Sequence, residues 1–252
     1  MYQFFVEASG IEEEHIVITG SDVNHIKNVL RMRIGEKIAA VDETEGRKYL
    51  CEISKMEEER ILCGILFVEE AEAELPAKVY LFQGLPKGDK MELILQKAVE
   101  LGCYEVVPVI CKRCVVKLDD KKQRSKVQRW QSISEAAAKQ SGRQIIPRVH
   151  EVMGFSQALF YAADMDSKLI PYEKATDMKE TKKLLGAVRP RQRIAVFIGP
   201  EGGFEEAEIE EAKKAGVVPV TLGRRILRTE TAAITALSWL MYELEDSVGS
   251  YE

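Results

Sequence analysis

The hydrophobic period of this chain changes near Pro76, and that change restricts the folds open to it. Before it, apolar residues come in short strand-like runs: Ile16-Val17-Ile18, Lys37–Asp42, Lys48–Met56 and Ile61–Glu69, with turns at Gly35, Glu43–Arg47 and Glu57–Arg60. Ser21-Asp22 offers an N-cap for a helix over Val23–Arg31. Short strands at this spacing suggest a small β-barrel. After it, strands (Lys78–Gln83, Val106–Cys111, Ile145–Val149, Ser167–Ile170, Ile194–Ile198, Val217–Thr221) alternate with helices (Lys90–Leu101, Ser125–Ser141, Ser156–Ala163, Thr176–Leu185, Glu205–Ala215, Thr231–Leu244). Asp89 with Glu92 reads as a capping box for the first of these helices. Alternation of this kind requires a mostly parallel sheet with helices on both faces, so the fold class is α/β. The acidic run Glu69–Glu74 reads as a linker, giving two expected domains, residues 1–72 and 73–252.

Composition narrows the setting. No apolar run approaches the roughly 20 residues of a membrane span, and Met1-Tyr2-Gln3-Phe4-Phe5 lacks the basic and apolar regions of a secretion signal, so a cytoplasmic location is expected. Five scattered cysteines form no disulfide framework, and Cys111-Lys112-Arg113-Cys114 has no second such pair and no nearby histidine. His15, His25 and His150 are too dispersed to build a metal centre together, so no metal is expected. The net charge of −5 hides an asymmetry: residues 1–72 carry 8 basic and 16 acidic side chains, whereas 111–148 carries 11 Lys/Arg against 3 acids. A concentrated basic segment on an acidic protein points to a polyanionic partner more than to a solvated helix face.

Two glycine-containing loops follow the last two strands and lead directly into helices, the position at which open α/β sheets bind ligands. The first, residues 198–204, reads Ile-Gly-Pro-Glu-Gly-Gly-Phe; the second, residues 222–232, reads Leu-Gly-Arg-Arg-Ile-Leu-Arg-Thr-Glu-Thr-Ala. Neither has the lysine of a P-loop nor the spacing of a dinucleotide fingerprint. Glu201, Glu205, Glu206 and Glu208 crowd the first loop and its helix, where a phosphate would be repelled. A neutral or cationic ligand fits better. Gly202-Gly203 suggest a positive φ or a close approach of backbone. Leu222, Ile226 and Leu227 are either core plugs or the wall of an adenine-sized pocket, and Thr229 or Thr231 can cap the last helix. That helix is apolar on more than one face, which means deep burial or an interface.

The joint wording of the two loops resembles the SPOUT-type RNA methyltransferases. The similarity extends through "HIKNVLRMRIGE" (25–36), "GLPKGDKMELILQKAVELG" (84–102), "CVVKLDDKK" (114–122) and "EAAAKQSGRQIIPRV" (135–149). The resemblance implies a PUA-like N-terminal β-barrel, an α/β domain with a C-terminal trefoil knot, a homodimer, and S-adenosyl-L-methionine as methyl donor. Within the family it is most like the members that methylate N3 of a uridine in 16S rRNA of the small ribosomal subunit. Another RNA methylation, at the ribose 2′-oxygen, or a non-catalytic ribosome-binding role are the alternatives. The implied cofactor residues are Pro171, Ile198, Gly199, Gly203, Leu222, Gly223, Ile226 and Leu227. RNA contacts are expected from Arg113, Lys117, Lys121, Lys122 and Arg124, and from Arg31 and Arg33 on the otherwise acidic first domain.

N3 methylation requires loss of the imide proton and stabilisation of the charge that spreads over the flanking carbonyl oxygens. Arg143, after the basic helix, and Arg228 are the arginines placed to do this. Glu201 or Glu230 is the expected base, provided burial raises its pKa toward neutrality.

Overall fold

Five short strands with apolar alternation build the first unit: β1 (Gln3–Val6), β2 (His15–Thr19), β3 (Lys37–Asp42), β4 (Lys48–Met56) and β5 (Arg60–Glu69), in the order β1-β3-β4-β5-β2. The β1/β3 pair is parallel and the others antiparallel. Register shifts between β4 and β5, at Leu50/Cys51 and Ile53/Lys55, bend and twist the sheet so that it curls around Phe4, Ile16, Ile18, Ile38, Ile53 and Ile61. The computed structural model describes residues 1–69 and 73–246; the centre of the expected linker, residues 70–72, lies outside the described residues.

The first unit comprises residues 1–74 together with 138–146, so a single boundary at residue 72 does not describe it. The carboxylate of Glu74 gathers the later segment. Its Oε1 accepts hydrogen bonds from Arg143 Nε (3.1 Å), from the Gln144 amide (3.0 Å) and from the Ile145 amide (3.3 Å), while Arg143 Nη2 donates to Oε2. Gln3 Nε2 donates to the Arg143 carbonyl (2.6 Å), and Lys139 pairs with Asp22 (3.1 Å). Arg143 is only 3% exposed. It is therefore an internal tie of the first unit, a correction to its expected catalytic role: its guanidinium is engaged by Glu74.

Two local expectations for this unit also change. The helix expected over Val23–Arg31 is a short turn, α1 (Ser21–Asn24), followed by one wide π-helical turn over His25–Val29, in which the Leu30 amide reaches the His25 carbonyl. Gly20 occupies the N-cap, so Ser21 lies inside the helix. Strand β1 has all four residues buried and thus shows no period of two.

In the second unit, strands and helices alternate: β6 (Lys78–Gly84), α2 (Lys90–Glu100), β7 (Glu105–Ile110), α3 (Asp120–Ser141), β8 (Arg148–Val149), β9 (Met153–Gly154), α4 (Phe155–Tyr161), β10 (Ser167–Pro171), α5 (Met178–Leu185), β11 (Arg193–Ile198), α6 (Glu206–Lys214), β12 (Val218–Val220) and α7 (Thr229–Asp246). The sheet order is β12-β10-β11-β6-β7-β8, with β9 also on β7, and every pair is parallel. Successive side chains of the central strands enter opposite layers. Val79, Leu81, Ile194, Val196 and Ile198 pack under α2, α3 and α7, while Tyr80, Phe82, Ala195 and Phe197 pack under α4 and α6. Phe82 and Phe197 stack at 4.4 Å across β6 and β11. The long strand β6, buried at six of its seven residues, is the kind of continuous apolar run that a two-sided sheet demands.

The Asp89–Glu92 capping box does not form, because Glu92 holds Arg129 of α3 in a two-point pair (2.8 and 2.9 Å). In α7, Ala233, Ala236, Leu237, Leu240 and Leu244 are buried, Trp239 and Met241 are half-buried, and Tyr242 is exposed.

Removing either partner of the Glu74–Arg143 pair strands a charge in a largely buried position. Glu74→Ala and Arg143→Ala are each expected to lower the unfolding free energy by about 3 kcal/mol. The double substitution should cost clearly less than the sum, as read by urea unfolding of the full chain.

Candidate functional site

The carboxyl ends of β10, β11 and β12 open on the same end of the sheet, and the segments leaving them surround a cleft of about 430 Å³. That volume lies within the range of small-ligand pockets. Pro171 enters from β10, Ile198, Gly199 and Gly203 from β11 and its loop, and Leu222, Gly223, Ile226 and Leu227 from the loop after β12. All eight expected cofactor residues thus line one cavity. Glu201 and Arg228 also line it, as do Lys90 of α2 and Ala232 of α7.

The shape of the first loop follows from its glycines. The Gly203 amide bonds back to the Pro200 carbonyl (2.9 Å), and its φ of 68° is one an L side chain adopts only at a cost. Beside it, a Cβ on Gly202 would stand 3.0 Å from Arg113 Cβ, so a larger residue here would press Arg113 aside. Arg113 Nη1 donates to the Gly202 carbonyl (2.9 Å). Arg113, expected to meet RNA phosphate, is in fact part of the loop's scaffold.

Glu208 completes that scaffold from below. It is 4% exposed; its Oε1 accepts the Lys112 amide (2.8 Å) and its Oε2 accepts the Glu205 amide at the start of α6 (2.9 Å). Of the acids that crowd this loop in the sequence, Glu208 is thus a structural cap. Glu201, Glu205 and Glu206 remain at the surface.

A single hydroxyl joins the two loops. Thr229 Oγ1 donates to the Gly199 carbonyl (2.6 Å) and accepts from Gln83 Nε2 (2.9 Å), which also donates to the Gly84 carbonyl (2.9 Å). Thr229 and Gln83 are 4% and 0% exposed. The Thr229 side chain is therefore not the expected helix cap but a bridge between the ends of β6 and β11 and the start of α7. Gln83 escaped the sequence reading: it closes an otherwise apolar strand, and a polar residue in that position is the only signal it leaves.

Lys90 organises the acids at the cleft. Its ammonium lies 2.9 Å from Glu201 Oε1 and 3.6 Å from Glu230 Oε2, and the Lys87 amide adds bonds to both oxygens of Glu201 (3.1 and 3.3 Å). Burial pushes the Glu201 acid upward, but the Lys90 hydrogen bond and the backbone amides outweigh it, and the pKa falls below its ordinary 4.5. The same hydrogen bond raises the pKa of Lys90. Glu201 is consequently the opposite of the neutral-range base expected of it. The Glu230 Oε2 is buried and accepts no hydrogen bond.

The basic segment is less free than its charge suggests. Lys122 pairs with Asp119 (3.3 Å), Arg129 with Glu92, Lys139 with Asp22 and Arg143 with Glu74. Lys117, Lys121 and Arg124 are exposed and hold no carboxylate among the described residues. Arg31 and Arg33 are exposed on the first unit, flanking buried Met32, and Arg31 has a φ of 54°. At Cys111 and Cys114 the chain makes a turn in which the Cys111 amide meets Cys114 Sγ (3.2 Å). The thiol–thiol hydrogen bond holds Cys114 down at about 7 and pushes Cys111 up. Among the described residues no group of three or more His, Cys, Asp and Glu side chains is placed to hold a metal ion.

The site therefore combines apolar lining residues with the acid of the first loop and the exposed Arg224, Arg225 and Arg228 of the second. Comparison with known proteins gives this geometry a context. Residues 73–241 match the family described as RNA methyltransferase domain, and residues 18–66 match the RNA methyltransferase PUA domain. The ribosomal RNA small subunit methyltransferase E of Bacillus subtilis is 38% identical over 97% of this chain and 98% of its own length. That of Mesomycoplasma hyopneumoniae is 34% identical over 94% and 98%. The crystal structure of a ribosomal RNA small subunit methyltransferase E from Neisseria gonorrhoeae bound to S-adenosyl methionine superposes with a TM-score of 0.81, at 33% identity, covering 96% of this chain and 97% of that one.

Thr229→Val keeps the shape of the bridge and removes its hydroxyl. It takes the Thr229 donor from the Gly199 carbonyl and one of two acceptors from the Gln83 amide, and is expected to cost about 1–3 kcal/mol of unfolding free energy, while Thr229→Ser retains most of the stability in the same denaturation assay. The Lys90–Glu201 tie has its own signature. Because the folded-state pKa of Glu201 is depressed, its contribution is complete above 4.5 and is lost as pH falls through the folded value. The stability gap between the wild type and Glu201→Gln should therefore shrink between neutrality and about pH 3 in a series of urea titrations.

Proposed function

The chain belongs to the RNA methyltransferase family, and on that premise we propose that it transfers the methyl group of S-adenosyl-L-methionine to N3 of a uridine in the 16S rRNA of the small ribosomal subunit. The observation that carries this reading is the convergence of both C-terminal loops on one cleft, lined by apolar side chains together with Glu201 and Arg228.

The residues present fit that donor. Bound there, S-adenosylmethionine supplies a methyl group on a positively charged sulfur. Ile198, Leu222, Leu227 and Pro171 give an adenine-sized ring apolar walls, with loop backbone groups available to read its edge. A Cβ on Gly203 or Gly223 would meet no protein atom within 4 Å, so the backbone at both faces open space that a ligand can approach closely. Glu201, paired with Lys90, leaves the first loop without the net positive charge that would draw a phosphate.

On the RNA side, Arg228 at the cleft offers its guanidinium to the carbonyl oxygens of the reacting base, where charge develops as N3 loses its proton. Lys117, Lys121, Lys122 and Arg124, with Arg31 and Arg33 of the first unit, supply the contacts to phosphate. The curled sheet of the first unit and the match over 18–66 support a PUA-like barrel. The passage from β12, at the edge of the sheet, back to α7 packed on α2 and β11 supports the knotted reading of the C-terminal segment. Exposed Tyr242 and half-buried Trp239 on α7 support a homodimer. A ribosomal substrate supports a cytoplasmic location.

Deletion of the gene is expected to remove one N3-methyluridine from hydrolysed 16S rRNA, as read by mass spectrometry of nucleosides, and the wild-type gene to restore it. Loss of a ribose-methylated nucleoside instead, or an unchanged profile, overturns the proposal.

A further inference from the structure

We propose that Cys111 and Cys114 form a reversible disulfide by exchange with a low-molecular-weight disulfide of the glutathione class, and that this bond loosens the 198–204 loop. The two thiols close the turn that follows β7. The Cys114 amide donates to the Cys111 carbonyl (3.0 Å), which holds the ends of a four-residue turn within disulfide reach. The Cys111 amide in turn donates to Cys114 Sγ (3.2 Å), and the two thiols are hydrogen-bonded to each other. In a reducing compartment such a pair acts as a switch and not as a staple.

The two sulfurs have different roles. Cys111 is 4% exposed, whereas Cys114 is half-buried and has the exposed Arg113 and Val115 on either side. Hydrogen bonds from the Cys111 thiol and from the Cys111 and Leu85 amides favour the Cys114 thiolate, outweighing burial and the Glu208 carboxylate. Cys51, Cys63 and Cys103 are fully buried, and burial pushes the first two up to about 11 and about 12. Cys114 is thus the attacking sulfur and Cys111 the resolving one. The step balances. The Cys114 thiolate bonds to one reagent sulfur as the reagent S–S bond breaks, and the other half leaves as a thiolate that takes a proton from water. Cys111 then bonds to Cys114 Sγ, and its proton passes to the second departing thiolate. Two protein thiols are oxidised, and one small disulfide is reduced to two thiols.

The cysteines bracket two residues on which the loop rests. Between them, the Lys112 amide is held by Glu208 (2.8 Å), and Arg113 donates to the Gly202 carbonyl (2.9 Å). Turn and loop are in close contact, since a Cβ on Gly202 would stand 3.0 Å from Arg113 Cβ. A disulfide draws the two sulfurs to about 2 Å, tighter than a hydrogen bond between thiols, so the turn contracts. Arg113 moves with it, and the Gly202 carbonyl loses its support.

The test uses the full chain in glutathione redox buffers, with the disulfide located by peptide mapping and hydrogen exchange followed over residues 198–204. The wild type should gain one intramolecular Cys111–Cys114 disulfide, reversed by dithiothreitol, and should exchange faster at Gly202 and Gly203 when oxidised. Cys111→Ser should stop at a mixed disulfide on Cys114, and Cys114→Ser should form neither product. Oxidation should weaken calorimetric binding of S-adenosylhomocysteine by about fivefold or more, and bound S-adenosylhomocysteine should disfavour the disulfide by the same factor. The wild-type measurements decide the matter even where a serine variant fails to fold. Absence of a Cys111–Cys114 bond, unchanged exchange over 198–204, or an affinity changed by less than about twofold each overturns the proposal. If neither form binds S-adenosylhomocysteine while the disulfide and the faster exchange appear, the cofactor reading of the preceding subsection falls and this proposal stands.

Discussion

The hydroxyl of Thr229 is the contact on which the site depends. It brings together residues 83, 199 and 229, which are distant in sequence and belong to two strand ends and a helix start. Thr229 and Gln83 are both buried, so the bridge is made largely away from water. Beside it, the Lys90 ammonium between Glu201 and Glu230 is a second, looser tie between the loops, at 2.9 and 3.6 Å. A cleft made of two loops is only as well defined as their spacing, and the tighter of the two ties is the 2.6 Å donor–acceptor pair.

Around that bridge, charge does two kinds of work. Glu208 and Arg113 look in the sequence like surface groups near a ligand loop, yet one receives two backbone amides and the other props the Gly202 carbonyl. Lys139 and Arg143 likewise secure the first unit. What remains for a polyanion is a smaller set of cations, each more exposed. A count of basic residues therefore overstates the contact surface and understates how much of the segment's charge serves folding.

Periodicity made most of the second unit readable, because its central strands β6, β7 and β11 are largely buried and separated by glycine-terminated helices. Seven of the eight residues expected to line the cleft were readable from the wording of two loops, and Pro171, at the end of β10, from the family resemblance. Other features were not, for identifiable reasons. Strand β1 has no polar alternate to mark it. The Asp89–Glu92 pattern is overridden by Arg129, which lies 37 residues from Glu92 in the chain. Arg143 looked catalytic because its distant partner Glu74 cannot be inferred from local spacing. The Glu201 acid was expected to rise with burial, and the loop amide and the lysine that reverse the direction come from β6–α2, far away in sequence. Local pattern predicts elements well and partners poorly, since partners are fixed by tertiary approach.

The return of residues 138–146 to the first unit has a consequence for how the protein is made. During synthesis the first five strands emerge early, but the segment that Glu74 gathers follows more than sixty residues later. The first unit is then a fold with a missing piece until β6, α2, β7 and most of α3 have left the ribosome. Its completion closes a long loop, with the associated entropy cost, and makes it depend on a stretch of chain made only after part of its neighbour. The two units are thereby coupled in the order of their folding as well as in sequence.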